Sequence, residues 1–268
     1  LFPPLHAAIL SAAGHFIAPV AAFDRIIPAQ KVPDCNSLSE KAPHCRPCTN
    51  TTGPANCLAK PRVTPPYAAK AGGASMYQVI GPKKSRALRV LWALEELGAP
   101  YDHLPDMPGS DAVKALNPSG KVPVLIVDGA TLTDSTAIMT YLADRHGALI
   151  PAPGTTQRAH HDALMHTVLD EMDAILWMAA KHSFILPEAQ RLPAIKDSLR
   201  WEWARSLDRL APRIAGHCLM GDEFTIADIL CAHCLNWGAG IKFDIAPEPV
   251  LAYQQRMRDR PAFQRLLA

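Results

Sequence analysis

Asn117-Pro-Ser-Gly-Lys-Val-Pro-Val-Leu-Ile-Val-Asp-Gly-Ala-Thr-Leu-Thr-Asp134, running straight into Ser135-Thr-Ala-Ile138, decides the fold. Asn117, Pro118, Ser119 and Gly120 are turn formers that end whatever precedes them. Val124 to Val127 is a continuous apolar run, short enough for a buried strand, and Asp128-Gly129 is a two-residue hairpin signal. Asp134 or Ser135 then caps a helix with Ile138, Tyr141 and Leu142 on one face and Gly147 as its stop. Pro123 stands where a strand begins, so it is either an edge residue or a cis proline. A cis bond would leave the N–H and C=O of Val122 facing outward, free to pair with an extended peptide as an added strand does. The free N–H groups at the start of the next helix attract a carboxylate, and Asp134 is placed to hold an amine.

The segment upstream, Met76-Tyr-Gln-Val-Ile-Gly-Pro-Lys-Lys-Ser-Arg-Ala-Leu-Arg-Val-Leu-Trp-Ala-Leu-Glu-Glu-Leu-Gly98, reads as strand, loop and helix. Tyr77 to Ile80 suits a short strand broken by Gly81-Pro82. Ser85 is a natural N-cap for a helix with Leu88, Leu91, Leu94 and Leu97, stopped at Gly98. A second strand is expected near Tyr101 to Leu104. Downstream, Thr155 to Ser183, Glu188 to Gly216 and Thr225 to Trp237 have helical periodicity. Thr225 with Asp228 three residues on makes a capping box, with Phe224 and Ile229 placed as a hydrophobic staple.

Residues 76 to 147 resemble the thioredoxin-like N-terminal domain of bacterial cytosolic glutathione S-transferases. Three stretches carry the likeness in order: Arg89-Val-Leu-Trp-Ala-Leu-Glu-Glu-Leu-Gly98, Asn117-Pro-Ser-Gly-Lys-Val-Pro123 and Asp134-Ser-Thr-Ala-Ile138. The resemblance implies an α/β thioredoxin-like domain over 76–150, then an all-α helical bundle domain over 151–268, in a cytoplasmic homodimer with a detoxifying role. It implies glutathione as co-substrate, with the Val122 backbone pairing with its cysteinyl unit beside Pro123. Asp134 and Ser135 would hold the γ-glutamyl amine and carboxylate, and Lys121 would reach the glycyl carboxylate. Asp134 stands where Glu is more usual. Between Asp102 and Leu116 only His103 and Lys114 offer a further cation for that carboxylate.

Glutathione's thiol is mostly protonated at neutral pH, so an enzyme gains by stabilising the thiolate with a hydroxyl, a helix N-terminus or a cation. Ser85 matches the family's thiolate-activating position, with Lys84 and Arg86 beside it. It is either the catalytic donor or a plain cap, and a hydroxyl can be both. Tyr77 is a weaker rival because it precedes the loop. No cysteine lies in that loop, which by resemblance argues against members that form a mixed disulfide with glutathione. The electrophile's pocket is expected between the domains, with His166, Trp177 and Met178 as candidates and Trp201 and Trp203 further on. Ordinary helix packing competes with that role at each. The expected reaction is conjugation of glutathione to a small hydrophobic electrophile. The alternatives are isomerisation, dehalogenation or peroxide reduction on the same scaffold, or a noncatalytic binding member.

The first 75 residues fit none of this. They hold 11 of the 25 prolines, four of the seven cysteines and none of the five tryptophans, a composition unable to build a core. Leu5 to Phe23 is apolar but broken by His6, His15 and Pro19, which suits neither a secretory leader nor a membrane span. The chain begins with Leu while Met76 directly precedes the first strand. Residues 1–75 are therefore read as a largely disordered upstream extension, or a misplaced start. Cys45-Arg-Pro-Cys48, flanked by Cys35 and Cys57, is too irregularly spaced for a zinc site, and no metal is expected. Cys231-Ala-His-Cys234 lies in a helix, where the cysteines serve as small apolar packing. A net charge of +2 points away from nucleic acid and from anionic membranes.

Overall fold

Alternation of short apolar runs with turn residues builds a four-stranded sheet of order β2-β1-β3-β4. Its strands are β1 (Tyr77–Ile80), β2 (Tyr101–Leu104), β3 (Val124–Val127) and β4 (Ala130–Thr133). The computed structural model describes residues 76–268 apart from 215 and 246, so the readings of the N-terminal segment and of Cys35, Cys45, Cys48 and Cys57 lie outside the described residues. β1 pairs in parallel with β2, Tyr77 facing Tyr101, and antiparallel with β3, Tyr77 facing Val127. β3 and β4 form the hairpin turned by Asp128-Gly129, both at positive φ as a type I′ turn demands. β3 is mostly buried, whereas the polar, exposed β4 forms the edge.

Helices α1 (Ala87–Leu97), α2 (Asp111–Leu116) and α3 (Ser135–His146) complete a thioredoxin-like α/β unit. Both α1 and α3 stop at a glycine in the left-handed conformation, Gly98 and Gly147, whose N–H groups bond carbonyls of the last turn. Six-residue α2, in a stretch where the sequence announces no element, is capped by Ser110. It has one buried side chain, Val113, so it carries too little periodicity to be seen beforehand.

From residue 156 the described chain is helical. α4 (Thr156–Val168) runs without a break through a π-helical turn at Leu169–Asp173, α5 (Ala174–Ala180) and a second π turn at Lys181–Ile185. α6 (Ile195–Leu210), α7 (Ile226–Gly240), α8 (Glu248–Arg258) and α9 (Pro261–Leu267) follow. α7 is the central helix, with its residues from Ile226 to Leu235 all buried, as an apolar sequence without a polar stripe requires. The capping box is present: Thr225 Oγ1 accepts from Ala227 N–H, and Asp228 accepts from the Thr225 N–H. α8 and α9 had no counterpart in the sequence reading. Pro at their first turns starts them, and Val250, Tyr253, Phe263 and Leu266 anchor them in the core. α1 is buried on both sides, Val90, Leu91, Trp92 and Leu94 all losing their solvent contact because the sheet lies on one face and the helical region on the other. Each such side chain contributes about 1.5–3 kcal/mol relative to exposure.

Candidate active site

The loop from β1 to α1 and the turn before β3 meet because Gly81 has no side chain. It sits at φ +131°, and a Cβ there would lie 2.9 Å from Val122 Cβ and 3.0 Å from Ala87 Cβ. Only glycine permits that backbone and that approach together. The Val122-Pro123 peptide is cis. Among the described residues neither the N–H nor the C=O of Val122 has a hydrogen-bond partner, and the residue is half-buried beside the Ser85 loop. The turn ahead of it is fixed by Asn117, whose side-chain amide donates to the Lys121 carbonyl at 2.9 Å. An unpaired peptide edge therefore stands next to the start of α1.

Ser85 lies one residue before the cap position it was read as filling. α1 begins at Ala87 with Arg86 in the cap position, and Ser85 Oγ accepts from the Ala87 N–H at 3.1 Å. Its own proton goes to the Pro82 carbonyl, 2.7 Å away. The Arg86 N–H has no partner among the described residues. Tyr77 is 1% exposed and bonds His146 Nε2 at 2.9 Å, away from the loop.

At the start of α3, Asp134 is exposed with φ 71° and ψ 123°, a conformation a non-glycine residue adopts at a cost of about 1–3 kcal/mol. Its Oδ1 caps the helix, accepting from Thr136 and Ala137 N–H at 2.9 and 3.1 Å, while Oδ2 takes no hydrogen bond among the described residues. Ser135, the first helical residue, is 2% exposed, and its Oγ accepts from Arg89 Nη1 at 3.2 Å.

Arg89 belongs to a polar cluster that sequence reading did not find. The π turn rotates Asp173 of the long helix into the seam, where it takes charge-assisted hydrogen bonds from both Arg86 and Arg89. Arg89 Nη2 also meets His233 Nδ1 at 3.0 Å and Cys234 Sγ at 3.6 Å, both on α7. Burial alone would raise the Asp173 carboxyl, but Arg89 and Arg86 overcome it and hold it at about 2. Burial, then the Arg89 charge, drives His233 well below its ordinary value, so it is neutral. The Cys-Ala-His-Cys stretch thus does more than pack. Its cysteines are buried, and its histidine takes part in the Arg89 cluster.

Of the expected pocket residues, Trp177 lies at the seam, its ring 4.9 Å from the Arg86 guanidinium and 6.0 Å from Lys121 Nζ. Trp237, marked in the sequence only as the end of a helical stretch, flanks Arg86 at 5.0 Å. Met178 packs partly buried against the core. His166 is exposed, and no side-chain contact among the described residues ties it to Ser85 or Arg86. Trp203 is 1% exposed and bonds the Asp244 carbonyl, so it is core; Trp201 is on the surface under Arg205. His103 is pinned to the Gly81 carbonyl at 2.9 Å. An open depression of about 580 Å³ between Glu95, Tyr101 and Arg265 contains none of these groups, so volume does not mark the site. No group of three or more metal-ligating side chains occurs among the described residues.

The unpaired Val122 edge, the α3 N-terminus and the α1 N-terminus with Ser85 converge in the α/β half, while Trp177 and Trp237 come from the helical half. Residues 85–145 match the family described as glutathione S-transferase, N-terminal domain, and residues 174–261 match glutathione S-transferase, C-terminal domain. The two matches together span more than half of the sequence, and the chain belongs to the glutathione S-transferase family. The maleylacetoacetate isomerase maiA of Aspergillus fumigatus is 30% identical over 167 residues, 56% of this chain and 70% of the relative. Glutathione S-transferase GstA of Escherichia coli is 28% identical over 160 residues, 58% of this chain and 76% of the relative. Among solved structures, the theta class glutathione S-transferase of Xanthomonas axonopodis pv. citri, with glutathione bound, aligns with TM-score 0.60 and 28% identity, covering 71% of this chain and 95% or more of that one (96%).

Proposed function

We propose that this protein binds glutathione in the groove between Val122 and the α3 N-terminus and transfers its thiolate to a small hydrophobic electrophile. The carrying observation is that Val122 offers both backbone groups unpaired beside cis-Pro123, within packing contact of the loop that bears Ser85. A tripeptide laid along that edge as an added strand puts its cysteine next to the start of α1. Its γ-glutamyl carboxylate meets the Ser135 end of α3, its amine meets the free oxygen of Asp134, and Lys121 serves the glycyl carboxylate. The thiolate gains from Ser85 Oγ–H swinging off the Pro82 carbonyl, from the unpaired Arg86 N–H, or from both. Trp177 and Trp237 form the apolar wall on which the electrophile rests, with Arg86 between them. We assign the α/β domain to 76–150 and the helical domain to 151–268, and place the protein in the cytoplasm as a homodimer of the bacterial type.

A second reading is a glutathione-dependent isomerisation, supported by the likeness to the Aspergillus fumigatus isomerase. It uses the same thiolate, adding to and leaving from one substrate. Among the described residues no helix is long and apolar enough to cross a membrane, and no step needs one.

Calorimetry with glutathione, followed by conjugation assays on several electrophiles and an isomerisation assay, tests both readings. Micromolar to millimolar binding with turnover is expected, and absence of binding overturns them. Ser85→Ala is expected to raise the bound thiol's pKa and lower kcat about 10²-fold while leaving glutathione affinity within about twofold. An unchanged thiol pKa and full turnover remove Ser85 as the donor and leave the α1 N–H groups.

A further inference from the structure

We infer that Arg89 is a positioning residue for ligand recognition: by donating to Ser135 Oγ from inside the protein, it aims the Ser135 hydroxyl proton outward at the ligand's carboxylate. The inference rests on the glutathione reading of the site. A hydroxyl carries one proton and two acceptor positions. Arg89 Nη1 fills one acceptor position at 3.2 Å, and Ser135 Oγ has no acceptor for its own proton among the described residues. The serine is 2% exposed, so a buried donor awaits a partner at the mouth of α3.

The arrangement around Arg89 shows what holds it in place. It is 1% exposed, and from α1 its terminal nitrogens reach groups on three other elements: Ser135 on α3, Asp173 on the π turn, and His233 and Cys234 on α7. Its Nε is buried without a partner, so the fork is set by its two ends at the expense of its middle. Asp173 is a single carboxylate between two guanidiniums, and His233 is neutral. One positive charge is therefore unbalanced in this cluster, and Arg89 brings it within hydrogen-bond distance of Ser135 Oγ. An anion at the Ser135 mouth meets a donor aimed at it and a buried cation behind it. Lysine cannot replace this fork, because an ammonium is a point donor that cannot span the serine and the acceptors on the other side together.

The test is a double-mutant cycle of Arg89→Lys and Ser135→Ala, read by calorimetry with glutathione and with γ-aminobutyryl-cysteinyl-glycine, which lacks the γ-glutamyl α-carboxylate. Wild type is expected to prefer glutathione by at least about tenfold. Arg89→Lys should lower glutathione affinity about tenfold and move the analogue by less than about twofold, and it should add nothing to Ser135→Ala. Equal weakening of both ligands, or independent effects of the two substitutions, overturns the inference and assigns Arg89 a purely structural role. Should Arg89→Lys fail to fold, Asp173→Asn, which frees the guanidinium from its anchor, must reduce the same preference; an undiminished preference overturns it equally. Wild type that binds no glutathione sinks the functional reading itself, a result distinct from either.

Discussion

Asp134, the cap of α3, and Asp228, in the first turn of α7, are used in opposite ways. At α7 both carboxylate oxygens of Asp228 are saturated: Oδ1 takes the Leu219 N–H at 2.8 Å and the Tyr253 hydroxyl at 2.9 Å, and Oδ2 takes the Thr225 N–H and hydroxyl at 2.8 and 3.1 Å. Asp228 is fully buried. At α3 one oxygen of Asp134 does all the capping and the other is left in solvent, on a backbone held at positive φ. A cap that serves folding alone closes its own hydrogen bonds; under the proposed function the α3 cap leaves one oxygen open for the ligand. The residue types are nearly the same, so burial and the number of inward-facing donors separate the two.

The largest effect expected from that contrast is at α7. Asp228→Ala strands four buried donors from three segments and should destabilise the protein by about 3–4 kcal/mol in urea unfolding, with glutathione affinity of the folded fraction unchanged. A loss below about 1 kcal/mol, or a selective loss of glutathione binding, breaks the division between folding cap and ligand cap.

A third carboxylate, Asp173, sharpens it next. Burial raises Asp228, and the hydrogen bonds from Leu219, Thr225 and Tyr253 only partly offset that. Burial raises Asp173 too, but Arg89 and Arg86 reverse the direction and bring it to about 2. The signs differ because neutral donors face one and two guanidiniums face the other. For Asp173 the folded value lies below the unfolded one, so its stabilisation is complete above about pH 4 and is lost as pH falls towards about 2. That is worth roughly 2 kcal/mol. Asp228 runs the other way, its contribution present below the unfolded value and lost as pH rises through the folded one. Urea midpoints of wild type and Asp173→Asn should therefore lie furthest apart at neutral pH and converge by about 2 kcal/mol between pH 5 and pH 2. Parallel acid profiles would mean that Asp173 is not held as an ion.

The same contrast explains how far the sequence could be read. Sheet, α1, α3 and the α7 capping box were legible because each is announced locally: Asp128-Gly129 for the hairpin, Gly98 and Gly147 for helix ends, Thr225 with Asp228 for the box. Val122, Ser135 and Lys121 could be proposed as ligand contacts because they stand within one short stretch of turn and cap signals. Arg89, Asp173, His233 and Trp237 were not. They come from three helices far apart in sequence, and nothing local shows that a π turn rotates Asp173 into the seam. Trp203, named for a pocket, lies in the core, because helical periodicity shows a face without showing what covers it. α2, with a single buried side chain, had no periodicity to show.

The smallest expected effect is also the cleanest separation of the two caps. Asp134→Asn keeps an Oδ1 acceptor for the Thr136 and Ala137 N–H groups, and asparagine tolerates positive φ better than other non-glycine residues. Stability should therefore change by less than about 0.5 kcal/mol. What the substitution removes is the charge on the oxygen that faces solvent, the one assigned to the γ-glutamyl amine. An exposed ion pair at a helix mouth contributes about 1 kcal/mol, so glutathione should bind about fivefold more weakly. The difference from wild type should shrink as ionic strength rises, because salt screens an exposed charge and leaves the cap's hydrogen bonds alone. Calorimetry at low and high salt reads both. If Asp134→Asn binds glutathione as wild type does while Asp134→Ala loses stability and affinity together, then the α3 aspartate is a folding cap like Asp228, differing only in being wet.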